Sequence, residues 1–188
     1  VPHKLDPERL IDLDTEQRGA WRRHRAPEGA LRHREGFGLT DGGNDLVHAL
    51  DEANYCIWCH HQDKDSCSKG LREKAKPGER PPFRRTVFGV PLNGCPLEEK
   101  VSEMNKAKAR GLSLSALALV VIDNPTCALT GHRICNDCMK ACIYQKQAPV
   151  DIPQNETRTL KDVLGLPWGF EIYSLLTRWN PLDLRRPY

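Results

Sequence analysis

The chain is 188 residues long, 39% apolar and only 6% aromatic, which suits one modest domain with extended tails rather than two full-sized ones. Its 28 Lys and Arg against 25 Asp and Glu leave a formal charge of +3, too mild to mark nucleic acid or an anionic membrane as the main partner. The longest apolar run, Ala116 to Ile122, is seven residues, against the roughly 20 a membrane helix needs, so no membrane insertion is expected.

Residues 1–38, rich in Arg, His, Glu, Pro and Gly, read as a poorly ordered arm with a short helix around Pro7 to Leu13. The chain begins Val1-Pro2-His3-Lys4, with no apolar signal core and no methionine, which suggests a fragment or a processed chain. Asp41-Gly42-Gly43-Asn44 reads as a turn that opens a helix, in which Leu46, Val47, Leu50 and Ala53 recur at helical spacing. A basic stretch at 70–93 holds Pro77-Gly78 and Pro81-Pro82, which forbid a continuous helix, so it is expected to be a loop insertion, with a short strand over Thr86–Val90. After Cys95, Pro96 suits a first helical turn, with Glu98 and Glu99 at its positive end. Leu97, Val101, Met104 and Lys108 mark one face of that helix, and Gly111 stops it. Ser113 to Ile122 is apolar almost all round and should be a buried helix, ended by Asn124-Pro125. Further helices are expected near Asn136 to Cys142, at Leu160 to Leu164 and at Phe170 to Trp179. The expected fold is all-α, with its main domain at 39–164 and a linker or docking segment at 165–188.

Eight cysteines are the outlier, namely Cys56, Cys59, Cys67, Cys95, Cys127, Cys135, Cys138 and Cys142. An even count allows four disulfides, but the tight Cys-x-x-Cys spacings suit a metal better, and thiols that stay reduced point to the cytoplasm. Cys56-x-x-Cys59 and Cys135-x-x-Cys138 each bring two thiolates to one centre from a single turn of chain. Eight thiols divide into two sets of four, as two [4Fe–4S] clusters require, and in two-cluster ferredoxins the last cysteine of one run serves the other cluster. That crossover groups Cys56, Cys59 and Cys67 with Cys142, and Cys95, Cys135 and Cys138 with one further group. Three rivals stand beside this reading. Cys56-Ile57-Trp58-Cys59-His60 matches a c-type haem attachment signature but leaves six cysteines unexplained. Two four-cysteine zinc sites would have the same count and would make a structural or protein-interaction module without redox activity. Catalytic thiol chemistry lacks any group that activates one cysteine above the others. His60, His61 and His132 stand near the ligands, as do Lys64, Lys69, Arg133 and Lys140, whose charge would raise a cluster's potential.

The run Cys56-x-x-Cys59, Cys67, Gly94-Cys95-Pro96, then Gly131-His132-Arg133-Ile134-Cys135, Cys138-x-x-x-Cys142 resembles the α-helical ferredoxin domain that precedes the flavin portion of the glutamate synthase small subunit and of dihydropyrimidine dehydrogenase. Asn136 to Gln147 more closely resembles bacterial FAD-dependent pyridine-nucleotide oxidoreductases that begin with this domain. The resemblance covers about residues 36 to 181 and implies two [4Fe–4S] clusters relaying electrons to or from a flavin. It departs in the longer gap from Cys59 to Cys67 and in the stretch between Cys67 and Cys95. The relatives complete the second cluster with a carboxylate or amide in a segment like Val150–Glu156, where Glu156 takes the ligand position, so the last ligand is Glu156 by resemblance or Cys127 by count. None of the 14 glycines forms Gly-x-Gly-x-x-Gly, so FAD and NAD(P) would sit on a partner domain or subunit, and the chain is not expected to be catalytic alone.

Overall fold

The computed structural model describes residues 13–29, 33–38, 41–74, 78 and 80–178, the side chains of 132 and 133 excepted. The chain divides into a small unit at 3–42 and a larger one from 43 onward.

In the small unit, β1 (Asp14–Arg18) and β2 (Trp21–Arg25) pair antiparallel, with Asp14 opposite Arg25 and Arg18 opposite Trp21. Gly19, at φ +60°, makes the tight two-residue turn that paired strands favour. Every residue of the hairpin is exposed, and Glu16 joins Arg18 at 3.1 Å and Arg25 at 3.8 Å. Where the composition predicts a poorly ordered arm, cross-strand pairing orders these residues, so the fold is mostly α with a two-stranded sheet rather than all-α. Of the helix expected over Pro7 to Leu13, residues 7–12 lie outside the described residues, and Leu13 is not helical.

The larger unit is helical. Helix α1 (Leu46–Tyr55) starts at Asp45, whose Oδ1 accepts from the His48 amide at 2.8 Å. It buries Ala49 and Ala53 and leaves Leu46 and Val47 exposed, so its inner face is the small-residue one. Helix α2 (Ser66–Lys69) is a single turn, and α3 (Val101–Ala109) starts five residues after Pro96. Glu98 has φ +51°, a left-handed conformation that breaks any helix begun at Pro96, so residues 95–98 form a turn instead. Helix α4 (Ser113–Asp123) buries Ala116, Leu117, Val120 and Val121, while Leu114 and Ile122 remain exposed. Helix α5 (Cys127–Ile134), absent from the sequence expectation, is kinked at Gly131, and α6 (Asp137–Ala141) is short. Helix α7 (Ile152–Leu164) starts well before the expected Leu160, because Asp151 accepts from the Gln154 amide and Pro153 suits the first turn. Helix α8 (Gly169–Thr177) buries Tyr173 and Thr177 against α7 and α4, so this part of the closing segment completes the unit's own core. Trp179 lies outside the described residues.

The insertion at 70–93 is a tied loop. Leu71 donates to Leu92, Arg84 to Leu71, and Leu92 to Arg84, at 2.8 to 2.9 Å. Thr86–Val90, expected as a strand, is the turn at the tip, closed by the Thr86 amide on the Val90 carbonyl at 2.8 Å. The two ends meet at Gly70 and Gly94, at φ +84° and +81°, where a Cβ on Gly94 would stand 2.6 Å from the Gly70 nitrogen.

Candidate metal centres

Two cavities hold the cysteines. The first is lined by Cys56, Cys59, Cys67 and Cys142, with Val101, Val150 and Ile152 among its apolar walls and Ser102 and Asn105 among its polar ones. Each thiol is placed by a short helical element or the turn beside it. Cys56 follows the last turn of α1, its amide donating to Glu52 at 3.1 Å. Trp58, left-handed at φ 52°, then swings Cys59 back, and its indole Nε1 donates to the Ala53 carbonyl at 3.2 Å. Cys67 rides on α2, and Cys142 follows the end of α6.

The second cavity is lined by Cys95, Cys135, Cys138 and Glu156, with Glu99, Asn124, Pro96, Leu97 and Pro153 around them. Cys95 closes the insertion, its amide donating to the Cys67 carbonyl at 2.7 Å, so the two sites are tied directly through the backbone. Cys135 and Cys138 flank the start of α6, and Glu156 sits in the second turn of α7, only 8% exposed. The two cavities share Val101 and Ile152.

Cys127 does not line either cavity. It is 2% exposed and packs in the apolar cluster of Met104, Leu117, Val120, Leu160 and Tyr173. The geometry thus puts Glu156 and not Cys127 beside Cys95, Cys135 and Cys138.

Burial dominates the electrostatics. It pushes the Cys67 thiol far up, helped by the Asp65 carboxylate that accepts from its Sγ at 3.2 Å. The Cys56 thiol is also raised by burial, with the Trp58 amide and the Asn105 side chain pulling the other way. Burial, followed by Cys142, raises Cys59. In the second site burial pushes Cys95 up to about 11 and Cys138 well above its ordinary range. Glu156 is pushed up to about 9, first by burial and then by the Glu99 carboxyl beside it, so at neutral pH it keeps a proton. The Asn124 amide donates to Glu156 Oε1 at 3.2 Å. Cys127 is pushed up to about 12, again by burial first. Without a cationic centre, then, these buried donors stay neutral, and a metal that displaces the protons is what would ionise them.

The donor chemistry fits a cluster. Four thiols in one site, and three thiols with a carboxylate in the other, are the ligand counts that two four-iron clusters need. Among the described residues, no three His, Cys, Asp or Glu converge closely enough to hold a single metal ion.

Neither His60 nor His61 lines these two cavities: His60 hydrogen-bonds the Ser102 hydroxyl, and His61 Nε2 meets Lys106 Nζ at 2.6 Å. Lys140 pairs with Asp137 at 2.8 Å, and the His132 and Arg133 side chains lie outside the described residues. Lys69 lines a third, cationic cavity with Arg72, Arg80 and Phe83. Sequence reasoning missed Glu99, Asn124 and Asn105. Asn105 alone had a signal, being four residues after Val101 on the face that Met104 and Lys108 bury.

No family model matches the chain. It is 67% identical over 60 residues to the uncharacterized protein RP006 of Rickettsia prowazekii (strain Madrid E), a match covering 32% of this chain and 8% of that protein. It is 42% identical over 84 residues to the uncharacterized protein RP005 of the same organism, covering 40% of this chain and 26% of that protein. The matched stretch is thus a small part of each relative.

Proposed function

We propose that this chain is an electron-relay domain of the α-helical ferredoxin kind, holding one [4Fe–4S] cluster on Cys56, Cys59, Cys67 and Cys142 and a second on Cys95, Cys135, Cys138 and Glu156. The observation that carries this reading is that two four-donor cavities share one wall, Val101 and Ile152. Two isolated zinc knuckles need no common wall, whereas a relay does, because electron transfer weakens steeply with distance. When bound, the clusters would supply one-electron redox steps. The chain's own residues do the rest. Val101, Val150 and Ile152 wall the first site's sulfurs, and the 2.7 Å bond from Cys95 to Cys67 holds the two ligand sets in register. Glu156, freed of its proton, would be the one hard oxygen ligand, which would make the two sites unequal in potential.

The flavin and pyridine nucleotide belong, in this reading, to an FAD-dependent oxidoreductase partner, either a further domain or a separate subunit. The small fraction of each relative that the chain matches supports the former. Eight cysteines free of disulfides support a reducing, cytoplasmic setting. Among the described residues no helix is long and apolar enough to cross a membrane. The test is metal and acid-labile sulfide analysis with a visible spectrum, on protein purified without oxygen. About eight iron and eight sulfide per chain, with broad absorption bleached by dithionite, are expected. About two zinc, no sulfide and no colour would replace the relay with a structural zinc module.

A further inference from the structure

We propose that Asn105 is a positioning residue for redox, donating a hydrogen bond from Nδ2 to the Cys56 sulfur and so raising the reduction potential of the first site. The proposal rests on the cluster reading above. Asn105 is 0% exposed in the middle of α3 and lines the cavity that Cys56, Cys59, Cys67 and Cys142 share. Its amide meets one buried partner, Asn155, whose own Oδ1 is also unpaired. Asn155 on α7, also 0% exposed, donates Nδ2 to Asn105 Oδ1 at 2.9 Å, which directs the other end of the Asn105 amide away from α7. That end, Nδ2, is buried and has no hydrogen-bond partner.

A buried N–H left unpaired costs roughly 1–3 kcal/mol, so it calls for a specific acceptor. A neutral thiol accepts poorly, whereas a cluster-bound thiolate accepts well, and Cys56 lines the same cavity as Asn105, whose side chain pulls that thiol downward. The Ser102 hydroxyl of α3, which lines the same cavity, is already engaged by His60. Reduction adds negative charge that spreads onto the ligand sulfurs, so a donor aimed at one of them favours the reduced state and lifts the potential. Among the described residues the second cavity has no equivalent of Asn105: its amide, Asn124, is spent on Glu156 and Thr130. The same helix pair therefore serves both sites, through Asn155 behind the first and Glu156 in the second.

The experiment is a dye-mediated redox titration followed by electron paramagnetic resonance, with iron and sulfide measured on the same samples. Two variants are compared with the wild type. Asn105→Asp keeps the oxygen that Asn155 needs but removes the donor, and the double variant Asn105→Leu with Asn155→Leu removes both polar partners together. Full iron and sulfide with a downward shift of one midpoint, larger for Asn105→Asp, and the other midpoint unmoved, is the expected result. Full loading with both midpoints unchanged overturns the proposal. Failure of both variants to load iron also overturns it, because a residue that only tunes a cluster is not required to hold one. A wild-type chain without iron and sulfide defeats the underlying cluster reading instead, and that is seen before any potential is measured.

Discussion

Glu156 and Cys127 show how little separates a cavity-lining side chain from a core residue. They lie near enough for the Glu156 charge to raise the Cys127 thiol, yet Glu156 opens into the second cavity and Cys127 into the apolar core. Cys127→Ala is therefore expected to keep full iron and to cost about 1 kcal/mol through the small cavity it leaves, read from urea denaturation. Glu156→Ala is expected to lose about four iron per chain, and the reverse pattern, loss in Cys127→Ala with full iron in Glu156→Ala, would make Cys127 the ligand. The Glu156 proton has its own signature in the cluster-free chain. Its folded pKa, about 9, stands above its ordinary value of 4.5. The stabilising proton is held by the folded state and released by the unfolded one across that window, so stability falls as pH rises from 4.5 through about 9. Glu156→Gln should flatten that slope in pH-dependent denaturation of the metal-free protein, and an unchanged slope would mean that other groups carry it.

At the scale of elements, α3 and α7 carry the most consequence, because both sites hang on them. They are clamped by a buried ion pair, Lys108 Nζ to Asp162 at 2.7 Å, with Arg158 adding a second contact to Asp162 at 2.6 Å. Lys108 is only 4% exposed, so Asp162→Asn strands its ammonium. A loss of about 3–5 kcal/mol is expected, measured by urea denaturation. A loss below about 1 kcal/mol, the worth of a surface pair, would show that water reaches Lys108. Part of this scale was legible in the sequence: α4 from its apolar run, the stop at Gly111, and α8 from its recurring hydrophobes. Other elements were not. The start of α3 was misplaced because Pro96 and two glutamates look like a first helical turn, whereas Glu98 is left-handed and the buried Glu99 lines the second cavity. The hairpin at Asp14–Arg25 was hidden by a composition as polar as that of a disordered arm.

For the whole molecule, cysteine spacing carried further than secondary-structure pattern. It paired Cys56 with Cys59 and Cys135 with Cys138, and each pair lines one cavity, whereas setting Cys142 with the first pair and Cys95 with the second came from the ferredoxin crossover and not from spacing. It left the eighth ligand open, because no count of thiols tells which side of a helix faces a cavity. The basic insertion at 70–93 looked like an interruption of the ligand run, but Gly70 and Gly94 bring its ends together, so Cys67 and Cys95 become neighbours despite the chain between them. The resulting arrangement, two donor sets on either side of Val101 and Ile152, is the central claim. Electron paramagnetic resonance of the fully reduced protein tests it most directly. Two reduced clusters separated by one layer of side chains must couple magnetically, so the spectrum should be broadened and split, collapsing to a simple signal when Cys95→Ala empties the second site. A fully reduced spectrum that is the plain sum of two uncoupled clusters would contradict the shared wall and the relay built on it.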